Sequence, residues 1–127
     1  GVTLLASGRL EEAEASYRDA IVTGHSDQGP RAMVNLGFLV QQQDRLDEAD
    51  ALFREAIASG HPNEAPRAMV NLGLLLKQQG RLDEADAVFG RAIATGHPEA
   101  AHRANLEVQS IRTNLDGEAG IGPPAPQ

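Results

Sequence analysis

The sequence predicts an all-α fold, an array of antiparallel helix pairs stacked as an α-solenoid, and three observations lead there. The stretch RAMVNLG at 31–37 returns unchanged at 67–73, an offset of 36 residues. Laying 31–66 over 67–102 leaves 11 mismatches and 25 identities, so the chain is an internal repeat. A period between about 20 and 50 residues marks arrays in which each unit buries its apolar face against its neighbours. A second segment recurs three times, as RLEEAEASYRDAI (9–21), RLDEADALFREAI (45–57) and RLDEADAVFGRAI (81–93), with helical spacing throughout.

By the same offset Gly1 stands where Gly37 and Gly73 stand, halfway along a helix, so the array starts mid-unit. Either upstream residues belong to it, which is the favoured reading, or the first helix is short and leaves Leu4 and Leu5 without cover. The recurring segment is helix B of each unit. Gly8, Asp44 and Gly80 precede its three copies, residue types that tolerate the left-handed conformation ending the helix before. Acidic residues crowd its first turns (Glu11, Glu12, Asp47, Glu48, Asp83, Glu84), where the helix dipole favours negative charge. Ala49, Leu52, Phe53, Ala56 and Ile57 fall at the i, i+3, i+4, i+7, i+8 spacing of one buried face. Gly24, Gly60 and Gly96 stop each copy.

Helix A lies between copies of helix B, running from roughly 28–31 to 43 and from roughly 64–67 to 79. Pro30 and Pro66 fit only its first turn, where a missing N–H leaves no gap in the hydrogen-bond ladder. A last helix over about 98–115 has Ala101, Ala104, Val108, Ile111 and Leu115 on one side and His102, Glu107, Gln109 and Arg112 on the other. An apolar stripe under a polar back suits a capping helix. The expected organisation is an array over 1–115, made of a partial repeat 1–29, full repeats 30–65 and 66–97, and the cap 98–115. The Gly/Pro-rich tail 116–127 has too few large apolar side chains to fold alone.

Composition narrows the function. A net charge of −7 and a pI near 4.9 argue against nucleic-acid partners, which call for a basic patch. There is no cysteine, which excludes disulfides and thiolate metal sites and fits a reducing compartment. No apolar run approaches the ~18 residues of a membrane span, and no basic residue precedes the apolar run in GVTLLASG, so it does not read as a secretory signal. The cytoplasm is the expected location.

The helix pairs, with Leu36-Gly37 in helix A and Ala49, Phe53 and Ala56 in helix B, resemble the tetratricopeptide repeat over about residues 1–115. The resemblance implies a right-handed α-solenoid in which a small residue of helix A meets a small residue of helix B at a close crossing. Gly37 with Ala49 and Gly73 with Ala85 match that pattern, and Tyr17, Phe53 and Phe89 match the large aromatic later in helix B. The family's usual period is about 34, and the excess falls in the inter-unit turn. That turn, GHPNEAPRAMVNLG (60–73), is similar to the related Sel-like repeats. Neither family performs chemistry by itself.

Candidate chemistry is sparse. His25, His61 and His97 recur once per unit, but units stacked at a spacing of about 10 Å cannot share one ion with ~2 Å bonds. These histidines are expected to bond the turn or cap the next helix. The acidic clusters sit on regular helices without a calcium-wrapping loop, and Glu14–Arg18 and Asp50–Arg54 are i, i+4 pairs of a solvated face. No Ser/His/Asp arrangement, phosphate loop or HExxH motif occurs. The chain is read as no enzyme, with no metal and no cofactor.

The informative surface is the outer side of helix A. At about 100° per residue, Arg31, Asn35, Phe38 and Gln42 share one face, while Met33, Leu36, Gly37 and Val40 share the opposite one. Arg67, Asn71, Leu74 and Gln78 repeat the first stripe, with Lys77 beside it. The resemblance implies that helices A line a concave groove. Amides, guanidinium groups and apolar spots there suit an extended peptide, since Asn pairs with both donor and acceptor of a backbone and Arg with carboxylates. The plainer alternative is that the arginines close local ion pairs, Arg31 with Asp27, Arg67 with Glu64 and Arg103 with Glu99. The expected function is a non-catalytic module binding a peptide or partner protein. The competing expectation is self-assembly by head-to-tail stacking, with association through the exposed N-terminal end.

Overall fold

The computed structural model describes the backbone of residues 2–24 and 28–121, and the side chains of 8–24 and 28–113. Six helices follow one another: α1 (Val2–Thr23), α2 (Gln28–Gln42), α3 (Leu46–Ala58), α4 (Glu64–Gln78), α5 (Leu82–Ala94) and α6 (Pro98–Ile121). Helices α2 and α4 are the two copies of helix A, and α3 and α5 are copies of helix B. Pro30 and Pro66 are third in their helices and buried, inside the first turn as the missing N–H requires.

The turn from A to B is set by hydrogen bonds that repeat from unit to unit. Asp44 takes φ 66° and Gly80 φ 77°. The Asp44 N–H donates to Gln41 O at 2.9 Å and the Arg45 N–H to Val40 O at 2.9 Å, with the same pair from Gly80 and Arg81 to Lys77 and Leu76. This is the paired bonding that satisfies the last carbonyls of a helix when the next residue is left-handed. Asp tolerates that conformation better than most side chains.

Gly8 departs from the expectation. The first copy of helix B does not begin after a turn at Gly8, because α1 runs unbroken from Val2 through Thr23. The turn at Asp44 is held in place by α2 packing back on α3, and the few described residues before Gly8 make less than two helical turns. Continuing the helix keeps every N–H in its ladder, whereas reversing would strand several. At its far end α6 also outruns the expected 115, reaching Ile121. Elongating an existing helix fixes one residue per new bond, while starting one does not, so 116–121 need no core of their own. The remaining tail, 122–127, lies outside the described residues, as do His25, Asp27 and the side chains of Leu4, Leu5 and Leu115.

Packing follows the repeat. Phe53, Phe89, Leu36, Leu72, Leu75 and Leu76 are fully buried, with Ala49, Ala56, Ala85 and Ala92 between them. Ile57 and Met33 are half-buried at the edge of this core. Helix α6 contributes Ala100, Ala104, Val108 and Ile111, so Ala100 takes the buried place expected of Ala101. The helix A glycine is explained by an aromatic ring rather than by the Ala49 crossing alone. A Cβ at Gly37 would stand 2.6 Å from Phe53 Cε1 and 2.9 Å from Cδ1, and Gly73 meets Phe89 in the same way. Each ring lies across the bare backbone of the neighbouring helix.

The stack is asymmetric. Helix α2 touches α4 and α4 touches α6, but among the described residues no Cα of α1 comes within 8 Å of α3, nor of α3 within 8 Å of α5. Helices of the A type therefore sit on the tighter side of the array. Their outer surface is the one the sequence marks as a site.

Candidate functional site

Five of the nine expected residues meet in one depression of about 450 Å³, namely Asn35, Phe38 and Gln42 of α2 with Arg67 and Asn71 of α4. Helical spacing accounts for this. Residues 35, 38 and 42 lie on one stripe of α2, and Asn71 is the repeat equivalent of Asn35 on the helix beside it. Both asparagines are half-buried, which orders the amides without removing them from solvent. Phe38 is 52% exposed, an unusual state for a phenylalanine when the equivalent Leu74 packs half-buried against the core.

The other four expected residues do not line that depression. Arg31 points outward with its Nε 3.7 Å from Glu64 Oε2. Lys77 Nζ donates to Glu107 Oε1 at 2.8 Å and to Ser110 Oγ at 3.5 Å, clamping α4 to α6. Gln78 Oε1 accepts from Gln41 Nε2 at 3.3 Å, linking neighbouring A helices. Leu74 joins the edge of the core.

Glu64 was legible only as the local partner of Arg67. Its carboxylate is 3% exposed and holds both arginines, with Arg67 Nη1 donating to Oε1 at 2.8 Å. A buried carboxylate needs such partners, because an unpaired one costs several kcal/mol. Arg67 is thereby fixed where the depression adjoins two more, one of about 110 Å³ shared with Asn71 and Arg103, and one shared with His97 and Glu99. The expected Arg103–Glu99 ion pair does not form, and among the described residues Arg103 has no ion pair. A further miss is the wall supplied by α1, where Ala13 and Tyr17 line the main depression. The repeat equates Tyr17 with Phe53 and Phe89, which are fully buried, yet Tyr17 is only half-buried. The counterpart of the glycines that seat those rings is residue 1, outside the described residues.

Two of the recurring histidines, His61 and His97, bond the starts of helices. His61 Nδ1 accepts from the N–H groups of Asn63 at 3.1 Å and Glu64 at 3.0 Å, and His97 Nδ1 from Ala100 at 3.2 Å. Each ring thus satisfies N–H groups at the start of a helix, which the N-cap residue of α4, Asn63, does not do with its own side chain. Among the described residues no group of three or more His, Cys, Asp or Glu could hold a metal ion.

On the opposite side, acidic and basic residues interlock consecutive units. Glu14 accepts from Arg18 at 2.9 Å and from Arg45 at 2.8 Å and 3.0 Å, while Arg18 and Arg45 also reach Glu48. Hydrogen bonds from Arg45 first, and Arg18 second, lower the Glu14 carboxyl to a pKa of about 2. Asp50 keeps its expected bond to Arg54 at 2.6 Å, which raises the Arg54 pKa. Asp86 is the exception, since Gly90 stands where Arg54 would, and its Oδ1 is buried with no hydrogen bond.

No helix among the described residues is long and apolar enough to cross a membrane. No curated protein matches the chain. Family models do: one for the tetratricopeptide repeat matches residues 30–96, and a second of the same description matches 1–19. The 36-residue offset, the glycine under each phenylalanine and the all-helical stack had already narrowed the choice to helical repeats, and with more than half the residues matched the chain belongs to the tetratricopeptide repeat family.

Proposed function

We propose that this chain is a non-catalytic interaction module that holds an extended peptide across α2 and α4, with Asn35 and Asn71 on the peptide backbone. Repeats of this family generally mediate protein–protein interactions. The observation that carries the finer reading is the meeting of Asn35 and Asn71, one repeat apart, in a single depression with Phe38, Gln42 and Arg67. An amide offers both a donor and an acceptor, so two amides match the alternating polar groups of an extended chain. Arg31 and Arg67 flank the path with charge, and Lys77 and Gln78 extend it along α4. A cytoplasmic partner segment fits the cysteine-free composition. The likeness of the inter-unit turn to Sel-like repeats leaves this reading unchanged.

Head-to-tail stacking draws less support. Another helix B would need on α6 the apolar seat that Met69, Gly73 and Leu76 provide on α4. The repeat places Asn105, Gln109 and Arg112 there instead, all exposed. A polar face of that kind favours water over a second copy.

The test is the double change Asn35→Ala with Asn71→Ala, measured on peptides selected for binding to the parent. Neutral hydrogen bonds contribute about 0.5–1.5 kcal/mol each, so affinity should fall by roughly 1–3 kcal/mol, about 5- to 150-fold. Arg31→Ala and Arg67→Ala should add a loss that shrinks at high salt. Helical content should not change. Equal affinity of the double mutant for every selected peptide would end the reading.

A further inference from the structure

Resting on that reading, we propose that the depression selects peptides in which a bulky apolar side chain stands two to three residues from a carboxylate. The apolar requirement comes from Phe38. Phe38 is 52% exposed and lines the depression with Tyr17 and Leu39 and with Asn35 and Asn71, whose side-chain amides are the proposed backbone contacts. Covering such a ring removes apolar surface from water at roughly 25 cal/mol per Å², a gain that only an apolar side chain of the peptide supplies.

The acidic requirement comes from Arg67. It is the one cation among the described residues lining this depression, and no carboxylate lines it, although the protein carries a net charge of −7. The acids are concentrated elsewhere. Glu64 takes Arg67 Nη1 from behind, leaving Nε and Nη2 without hydrogen bonds among the described residues. Because Glu64 is 3% exposed and also neighbours Arg31, it fixes the guanidinium and leaves the trio with one surplus positive charge. A donor fork already held in place loses little freedom when it binds a carboxylate. Glu64 is a positioning residue in this scheme. The spacing follows from size: a depression of about 450 Å³ is roughly 8 Å across, which an extended chain at ~3.3 Å per residue spans in two to three residues.

Selection of a random dodecapeptide display library on the full chain tests this, followed by fluorescence anisotropy on synthetic versions of the enriched peptides. Enriched sequences should share a large apolar residue followed or preceded, two to three positions away, by Asp or Glu. Selection on Arg67→Ala should lose the acid and keep the apolar residue, and selection on Phe38→Ser should do the reverse. Phe38 is exposed, and Arg31 still faces the Glu64 carboxylate when Arg67 is removed, so both variants should fold, which circular dichroism will check. Arg67→Ala should weaken an acid-bearing peptide about 10-fold and its amide analogue hardly at all. Glu64→Gln should change the affinity for the acid-bearing peptide and leave that of its amide analogue unchanged, a difference that a merely destabilised fold would not make. If enriched peptides lack the pair, or keep it on both variants, the inference falls while the groove stands. If nothing is enriched above a blank surface, or if binding ignores Asn35→Ala with Asn71→Ala, the groove reading falls and takes this with it.

Discussion

Replacing Gly37 by alanine sets two known effects against each other. In an exposed helix interior the change is favourable by about 0.8–1.0 kcal/mol, because glycine loses more backbone freedom on folding. Here the new Cβ would lie 2.6 Å from Phe53 Cε1, 2.9 Å from Cδ1 and 3.1 Å from Cζ. Carbon atoms prefer about 3.5–4.0 Å, so roughly an ångström of movement is required. The ring cannot swing aside, since Phe53 is 0% exposed among other buried side chains. The helices must part instead, and overpacking of this kind costs about 1–3 kcal/mol. The sum is a loss of about 0–2 kcal/mol, growing further for Gly37→Leu. Gly90 supplies the control, being exposed in α5 with no atom within 4 Å of its would-be Cβ. Gly90→Ala should gain the full propensity term.

Urea unfolding followed by circular dichroism reads both. With slopes of about 1–3 kcal/mol per molar, a loss of up to about 2 kcal/mol means that Gly37→Ala should lower the midpoint by up to about 1 M at a mid-range slope, and Gly90→Ala should raise it. Phe53→Leu, destabilising by itself through lost volume, should cost less in the Gly37→Ala background than in the parent. Contacting residues show coupling energies of about 0.5–3 kcal/mol. Equal upward shifts for the two alanine variants, or strict additivity with Phe53→Leu, would refute the ring-on-backbone account.

Three further outcomes are expected. Gly8→Ala should stabilise by up to about 1 kcal/mol, because Gly8 is a helical, exposed residue of α1; a loss of stability would restore the turn that the sequence suggested. Gly90→Arg should exceed Gly90→Ala by a few tenths of a kcal/mol, as it returns to Asp86 the i, i+4 partner that Asp50 has in Arg54, and a midpoint no higher than that of the alanine variant would count against the pairing. Glu14 gives an acid dependence: its carboxyl falls from 4.5 in the open chain to about 2 when folded, so its contribution is whole above about pH 5 and fades as pH drops toward 2. Midpoints of the parent and of Glu14→Gln should therefore converge over that range, and a gap that stays constant down to pH 2 would show that the Arg45 and Arg18 bonds do not govern it.

Much of the fold was legible because it is written twice. Period, core face and left-handed turn residues are local properties repeated at a fixed offset, and Leu36, Phe53, Asp44 and Gly80 behave as their neighbours in sequence require. The site was half legible for the same reason. A helical stripe puts Asn35, Phe38 and Gln42 together, and the offset adds Asn71, but no periodicity says that Tyr17 walls the depression from a different helix. Nor does it say that Glu64 reaches back to Arg31, since the corresponding positions are Gln28 and Ala100 and the contact exists once. Gly8 misled for a physical reason: a glycine marks where a chain can turn, and packing on the far side decides whether it does.

The way the two full repeats differ bears on how such an array acquires specificity. Every fully buried aromatic and every seating glycine is identical between 31–66 and 67–102, as are the asparagines and the first arginine of each A helix. Substitutions that change the frame would disturb both neighbouring units, because each helix packs on the one before and the one after. Buried differences are mostly exchanges of one aliphatic side chain for another, Val40 against Leu76 and Leu52 against Val88, while changes of chemical character fall on several positions that meet solvent: Phe38 against Leu74, Gln41 against Lys77, Arg54 against Gly90. Of these, only Phe38 opens into a depression that also holds both repeat asparagines and an anchored arginine. On the proposed reading the amides that would hold an extended backbone are common to both units, whereas the exposed ring of Phe38 and the close bond from Arg67 Nη1 to Glu64 each occur once. If the chain binds peptides as proposed, recognition of a particular sequence is separable from the binding of a chain at all, and changing Phe38 or Arg67 should then alter what is bound while changing Asn35 with Asn71 should alter how tightly anything is.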